Sequence, residues 1–254
     1  MNKFLKITLG VILMCASINT TSLAAAKEDP DFYATTNRLV YDDIYKKVSL
    51  DAKTREMVTL AALSVNQNEA LFKEHVSVAL KAGLTPVEIK ETLYQAAPYI
   101  GIGRVYTALD YTNDTLKKEG IKLPLESQTT VTVDNRLEKG IEVQTKIFGD
   151  AIGKMRANAP ANQKDLQDYL SGYCFGDTYT RNGLNLKQRE LVTFTVISSL
   201  GGCDAQVKAH VTGGTHEGLT KKDLIDALVT CIPYNGFPRT LNALACVNEV
   251  VPEK

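Results

Sequence analysis

Between Thr54 and Ser64 most positions are apolar, and Met57, Val58, Leu60, Ala61 and Leu63 fill much of a helix rather than one stripe of it. A surface helix keeps a polar face, so this pattern predicts a helix buried on most sides. Glu69 to Ala82 predicts a second helix, closed by Gly83, a residue that takes the helix-ending left-handed conformation without a Cβ clash. Thr85-Pro86-Val87-Glu88 then offers an N-cap, a proline at the first helical position and a glutamate three residues after the cap. The helix that follows carries Ile89, Leu93 and Ala96, and it should stop at Pro98, because proline pushes the residue before it out of the helical region. A last helix is expected from about Arg104 to Lys117. Period-two alternation is scarce, apart from Thr129-Thr130-Val131-Thr132-Val133, so the chain is expected to be all-α.

The same series returns about 135 residues later. Arg55-Glu56-Met57-Val58-Thr59-Leu60 reappears as Arg189-Glu190-Leu191-Val192-Thr193-Phe194, Gly83-Leu84-Thr85 as Gly218-Leu219-Thr220, and Pro98-Tyr99 as Pro233-Tyr234. His75 falls opposite His210. The offset changes from 134 to 135 within the unit, so the second copy holds one extra residue near Gly201-Gly202-Cys203. Helices are therefore also expected from Lys187 to Leu200, up to Gly218, from Thr220 to Pro233, and from about Arg239 to Val250. Two copies are too few for a solenoid, and packing of one copy on the other about a pseudo-twofold is the simpler expectation. The expected division is a first unit over 27–119, a linker over 120–134 rich in Leu, Pro, Ser and Thr, and a second unit over 135–254. If Asn37-Arg38-Leu39 corresponds to Asn135-Arg136-Leu137, the second copy carries about 36 extra residues before its Arg-Glu motif, including the aromatic stretch from Tyr173 to Arg181.

The first 26 residues change where the protein is expected to work. Lys3 and Lys6 precede an apolar run from Ile7 to Met14 and a small-residue site ending at Ala26, the pattern of a cleaved export signal. A secreted or periplasmic protein is expected, with no membrane segment after cleavage. Lys plus Arg and Asp plus Glu number 29 each, which gives no electrostatic reason to expect nucleic acid. Small-molecule substrates and further copies of the chain are the expected partners. Cys174, Cys203, Cys231 and Cys246 all lie in the second half, and three complete pairings are open to them.

No H-E-x-x-H metal motif, phosphate-binding glycine loop or serine nucleophile elbow occurs. The candidates are His210, Glu190, Cys203, Tyr179 and Arg181. Cys203 and His210 are seven residues apart, so a helix beginning near Gly202 would put them on one face, and Glu190 lies on the preceding helix. A carboxylate that orients an imidazole suits proton transfer near neutrality. Against this, Arg-Glu and His occur in both copies and equally suit an ion pair and a packed histidine, while a lone buried Cys is usually a small hydrophobe. His216 is expected to face solvent.

The Arg-Glu-Leu-Val-Thr stretch, Gly-Cys before a helix with His210, the Gly-Leu-Thr turn and Pro-Tyr-Asn-Gly-Phe-Pro-Arg together resemble the carboxymuconolactone decarboxylase family, which includes the alkylhydroperoxidase D-like proteins. The resemblance covers Asn135 to Val251 and, more weakly, Asp51 to Leu116; Tyr179 stands where the family usually has Trp. It implies two tandem antiparallel helical units of the alkylhydroperoxidase D-like fold and ring-like oligomers, which a tandem chain reaches as a trimer. It also implies carboxy-lyase chemistry that needs no cofactor, with His210 as proton donor, Glu190 as its orienter or acid partner, and Tyr179 or Arg181 contacting substrate. The hydroperoxidase branch uses Cys-x-x-Cys before its His; here Cys203 matches the first Cys and Gln206 replaces the second. Two alternatives follow: a thiol-dependent peroxidase using Cys203 with Cys231 or Cys174, and a non-catalytic binding or assembly module.

Overall fold

The computed structural model describes residues 27–253, so the expected export signal lies outside the described residues. Among the described residues there is no strand, as the pattern predicts. The chain divides between Lys46 and Lys47 into two compact units. The first holds α1 (Pro30–Asn37), which runs into a π-helical segment, Arg38–Ile44. There the Tyr45 N–H donates to the Val40 carbonyl, five residues back.

The second unit begins with α2 (Ala52–Asn66), α3 (Glu69–Lys81), α4 (Pro86–Ile100) and α5 (Ile102–Lys118). It continues with α6 (Arg136–Phe148), α7 (Ala151–Ala157), a 3-10 turn, α8 (Lys164–Tyr169) and a second π-helical segment, Leu170–Tyr179. It ends with α9 (Leu186–Leu200), α10 (Asp204–His216), α11 (Lys221–Asn235) and α12 (Phe237–Val250). The start of α2 answers the start of α9 at an offset of 134, and α3, α4 and α5 answer α10, α11 and α12 at 135. Two residues join α2 to α3 and three join α9 to α10, which accounts for the extra residue.

Most of these helices start on caps the sequence provides. Asp51 accepts from the Thr54 N–H, and Thr85 with Glu88, Asn185 with Gln188, and Thr220 with Asp223 close reciprocal capping boxes. α4 and α11 depart from expectation, because they pass through Pro98 and Pro233 and end at Ile100 and Asn235. A proline this close to a helix end forfeits one backbone bond, and the ladder closes beyond it, where Gly101 N–H reaches the Ala97 carbonyl at 3.1 Å. Gly101 and Gly236 then turn the chain at φ of 81° and 73°, a region open to glycine. The tripeptide match also fails as a register. Asn37-Arg38 sits at the end of α1 and the start of a π segment, whereas Asn135-Arg136 opens α6. The order of helix then π segment makes α1 the counterpart of α8 instead.

α2 and α9 are central: every residue from Glu56 to Val65 and from Arg189 to Ser199 is buried. Val192 and Val196 of α9 belong to the core of the first copy, and Val58 and Ala62 of α2 to that of the second. The copies are thus interlocked. α6 packs on the second π segment at backbone distance, because a Cβ on Gly140 would lie 1.9 Å from the Ser171 carbonyl oxygen and one on Gly176 would lie 2.1 Å from that of Arg136. The linker runs along residues 180–182, with the Asn182 N–H on the Gln128 carbonyl and the Thr130 hydroxyl on the Thr180 carbonyl.

Candidate active site

Glu190 follows Arg189 on α9, and the two side chains serve different networks. Glu190 is fully buried and takes two hydrogen bonds, from His210 Nδ1 of α10 to Oε2 at 2.9 Å and from the Tyr179 hydroxyl to Oε1 at 2.7 Å. The Tyr179 oxygen also pairs with Thr193 Oγ1 at 2.9 Å, one turn along α9, and Thr193 accepts from Gln95 Nε2 of α4 at 2.9 Å. With a carboxylate as acceptor on both sides, Nδ1 carries the proton and the ring is held in one orientation.

The ring of His210 sits between two aromatic neighbours in edge contact, Tyr99 of α4 with centroids 5.6 Å apart and Phe148 of α6 at 5.4 Å. Phe175 stacks at a tilt on Tyr179 and meets Phe148 edge-on. Gly213, one turn after His210, is needed here, because a Cβ would come within 2.8 Å of Glu190 Oε2, Ile147 and Phe148. His210 Nε2 has no hydrogen-bond partner among the described residues, and it is not among the sealed, unpaired buried atoms. It is the one ring nitrogen of this network left open to a ligand.

The first copy builds the same pair and closes it. His75 Nδ1 meets Glu56 Oε2 at 2.7 Å, but His75 Nε2 is occupied by the hydroxyl of Tyr234, at 2.9 Å, from α11 of the other copy. Thr59, the counterpart of Thr193, is buried with its hydroxyl unpartnered.

The phenols and a thiol around His210 stay protonated. Burial, reinforced by the charge of Glu190, pushes Tyr179 well above its ordinary value, and burial with the neighbouring Cys174 does the same for Tyr99. Burial pushes the Cys174 thiol up to about 12; its Sγ lies 3.2 Å from the Tyr99 oxygen.

Of the five residues predicted from sequence, the structure brings together His210, Glu190 and Tyr179. Tyr179 serves as a support for Glu190 at 2% exposure rather than presenting its hydroxyl to an open space. Cys203 stands at the N-cap position of α10 without a capping bond; its Sγ donates to the Gly201 carbonyl at 3.3 Å, and no hydrogen bond joins it to Glu190 or His210. Seven helical residues separate it from His210 by about 10 Å of rise. Arg181 also lies elsewhere: it forks onto Glu91 of α4 at 2.9–3.0 Å and covers the Tyr94 ring. His216 is exposed, as expected, and bonds the Ile147 carbonyl. Thr193, Tyr99, Cys174 and Phe148 complete the site; of these the sequence singles out only Cys174, and only as a possible thiol partner of Cys203. The recurrence of Pro-Tyr in both copies is the available signal for Tyr99; Phe148 offers none, because α6 has no counterpart among the described residues of the first copy.

All four cysteines of the described residues are free thiols. Burial raises Cys174, Cys231 and Cys246 above the usual thiol range, while Cys203 is half-exposed. Iodoacetamide at pH 8 is therefore expected to label Cys203 first, as read by peptide mass mapping, because the thiolate is the reacting form. Equal labelling of all four before unfolding would contradict the buried placement.

The protein belongs to the carboxymuconolactone decarboxylase family, whose model matches residues 30–114 and again 164–249. The two matches have nearly equal length, in agreement with α1 as the counterpart of α8. A 4-carboxymuconolactone decarboxylase of Acinetobacter baylyi is 29% identical over 118 residues, 46% of this chain and 87% of that protein. The nitrosuccinic acid decarboxylase npaB of Metarhizium robertsii is 23% identical over 115 residues, 45% of this chain and 80% of that protein. A crystal structure from Burkholderia xenovorans LB400, described as a gamma-carboxymuconolactone decarboxylase subunit, aligns with a TM-score of 0.56 at 18% identity, over 90% of this chain and 89% of that one. The fold is that of the alkylhydroperoxidase D-like helical proteins, present here as a tandem pair.

Proposed function

We propose that the second copy is a carboxy-lyase site acting, without a cofactor, on a small carboxylated compound that carries its own electron sink, in an exported protein. The observation that carries this is the unequal treatment of the two histidines: His210 is anchored through Nδ1 and open at Nε2, while His75 is bonded at both nitrogens.

Both named decarboxylase relatives point to one class of substrate. In a carboxylated unsaturated lactone, the pair of electrons left by departing carbon dioxide delocalises to the lactone carbonyl; in nitrosuccinic acid the nitro group takes it. The bond to the carboxylate carbon breaks, carbon dioxide leaves, and the proton on His210 Nε2 is delivered to carbon, after which solvent restores it. Glu190 stabilises the cationic ring that gives this proton, and Tyr179 and Thr193 keep the carboxylate in place. The dry surroundings of Phe148, Phe175 and Tyr99 strengthen these interactions.

The test is carbon dioxide release by the purified protein from 4-carboxymuconolactone and from nitrosuccinic acid. Release from at least one, with a single solvent deuterium at carbon when run in D2O, is the expected result. No release from either, alongside dithiol-dependent turnover of a hydroperoxide, would move the function to Cys203.

A further inference from the structure

His210 is 6% exposed, with aromatic rings edge-on against its imidazole. That sliver admits water, but a carboxylated compound that carries an electron sink needs one of those rings to move. The rings are held unequally. Phe175 is 3% exposed on the π segment, which meets α6 at backbone distance through Gly140 and Gly176. Tyr99 packs against the cores of both copies and the cluster around Phe175, and its hydroxyl lies 3.2 Å from Cys174 Sγ and 3.4 Å from the Tyr179 oxygen. Phe148 packs against the cluster around Phe175 alone, is partly exposed, and has no polar atom to tether it.

The chain around Phe148 confines motion to its side chain. Ile147 is fully buried, and its carbonyl accepts the His216 Nδ1–H at 2.9 Å, so the backbone before Phe148 is pinned to α10. Phe148 is the last residue of α6, and the chain turns away at Gly149 with φ 71° and ψ −162°, a conformation open to glycine. A Cβ on Gly149 would meet nothing within 4 Å, so there is free space beside the ring's attachment point.

We infer that the Phe148 side chain is the gate to His210: it swings out at the end of α6 to admit a ligand, returns to exclude water, and by its size limits what sits beside the imidazole. The inference rests on the carboxy-lyase assignment only for what the admitted ligand is. Swinging out gives up edge contacts with His210 and Phe175, so the open form is a minor state, of the order of a tenth of the molecules or fewer.

The test is modification of the histidines by diethyl pyrocarbonate from about pH 6 to 9, read by peptide mass mapping. The reagent attacks an unprotonated ring nitrogen, so the plateau rate at high pH reports access rather than charge. Exposed His216 is the fast reference, and His75, bonded at both nitrogens, is the slow one whose protection also reports an intact fold. At the plateau His210 should react about tenfold or more slowly than His216 in the wild type; Phe148→Ala should speed it about tenfold and Phe148→Leu by less, with His75 slow throughout. Turnover is the second readout: Phe148→Ala lets water into the site, so kcat should fall several-fold with no rise in KM. His210 reacting as fast as His216 in the wild type, or at an unchanged rate in Phe148→Ala, overturns the gate. A raised KM at unchanged kcat also overturns it, since Phe148 would then be an ordinary binding contact. Gated modification in a protein that releases no carbon dioxide would instead overturn the carboxy-lyase assignment and leave the gate standing.

Discussion

His210→Ala is expected to lower decarboxylation by about 10²–10⁴-fold, the usual contribution of a positioned acid or base, while His75→Ala leaves turnover unchanged. The two variants remove the same side chain from equivalent helices, so the comparison separates chemistry from packing. Both imidazoles bond a buried glutamate through Nδ1. Only His210 has Nε2 without a partner among the described residues. Thermal unfolding should report similar losses of stability for the two variants, and turnover should not. Parallel losses of turnover would mean that the histidines serve the fold.

Glu91→Ala should produce the largest loss of stability, about 3–5 kcal/mol, because it strands a buried guanidinium. Arg189 is fully buried on α9 and its Nη2 donates to Glu91 at 3.1 Å, to the Arg181 carbonyl at 2.7 Å and to the Asn182 carbonyl at 3.1 Å. Its Nη1 reaches Gln95, and its Nε has no partner. Burial pulls this guanidinium down from its ordinary value and Glu91 pushes it back, so removing Glu91 leaves the desolvation unopposed. For a chain of this size the expected fall in Tm is roughly 10–15 °C. The exposed Lys139–Glu142 pair provides the contrast. Lys139→Ala should change stability by about 0.5 kcal/mol or less, since solvent screens such pairs. Equal effects of the two substitutions would contradict burial of the Arg189–Glu91 pair as the source of the loss.

Much of the fold is legible in the amino-acid sequence. The continuous apolar pattern of α2 and α9 signals their burial, and the capping residues mark the starts of α4, α9 and α11, because both signals act locally. The internal repeat places His75 opposite His210 and locates the extra residue between α9 and α10. Contacts that cross between copies leave no such local trace. Arg181 has the chemistry of a carboxylate receptor beside an aromatic stretch, but the carboxylate it holds, Glu91, lies 90 residues away on α4. The helix that carries His210 begins at Asp204 rather than near Gly202, so Cys203 precedes it at the N-cap and the thiol stays out of the hydrogen-bonded network. Tyr99 is visible as half of a repeated Pro-Tyr, with no local sign that it belongs to the site of the other copy. The helices running through Pro98 and Pro233 show a local rule yielding where a proline falls in a last turn that a glycine closes a few residues later.

The central claim is that the duplicated chain holds one working site, in its second copy, and the stoichiometry of ligand binding tests it most directly. A saturated carboxylated γ-lactone lacks the conjugated sink and so should bind without reacting. Calorimetry should give one molecule bound per chain, unchanged in His75→Ala. Two molecules per chain, or a single one that disappears in His75→Ala, would contradict it.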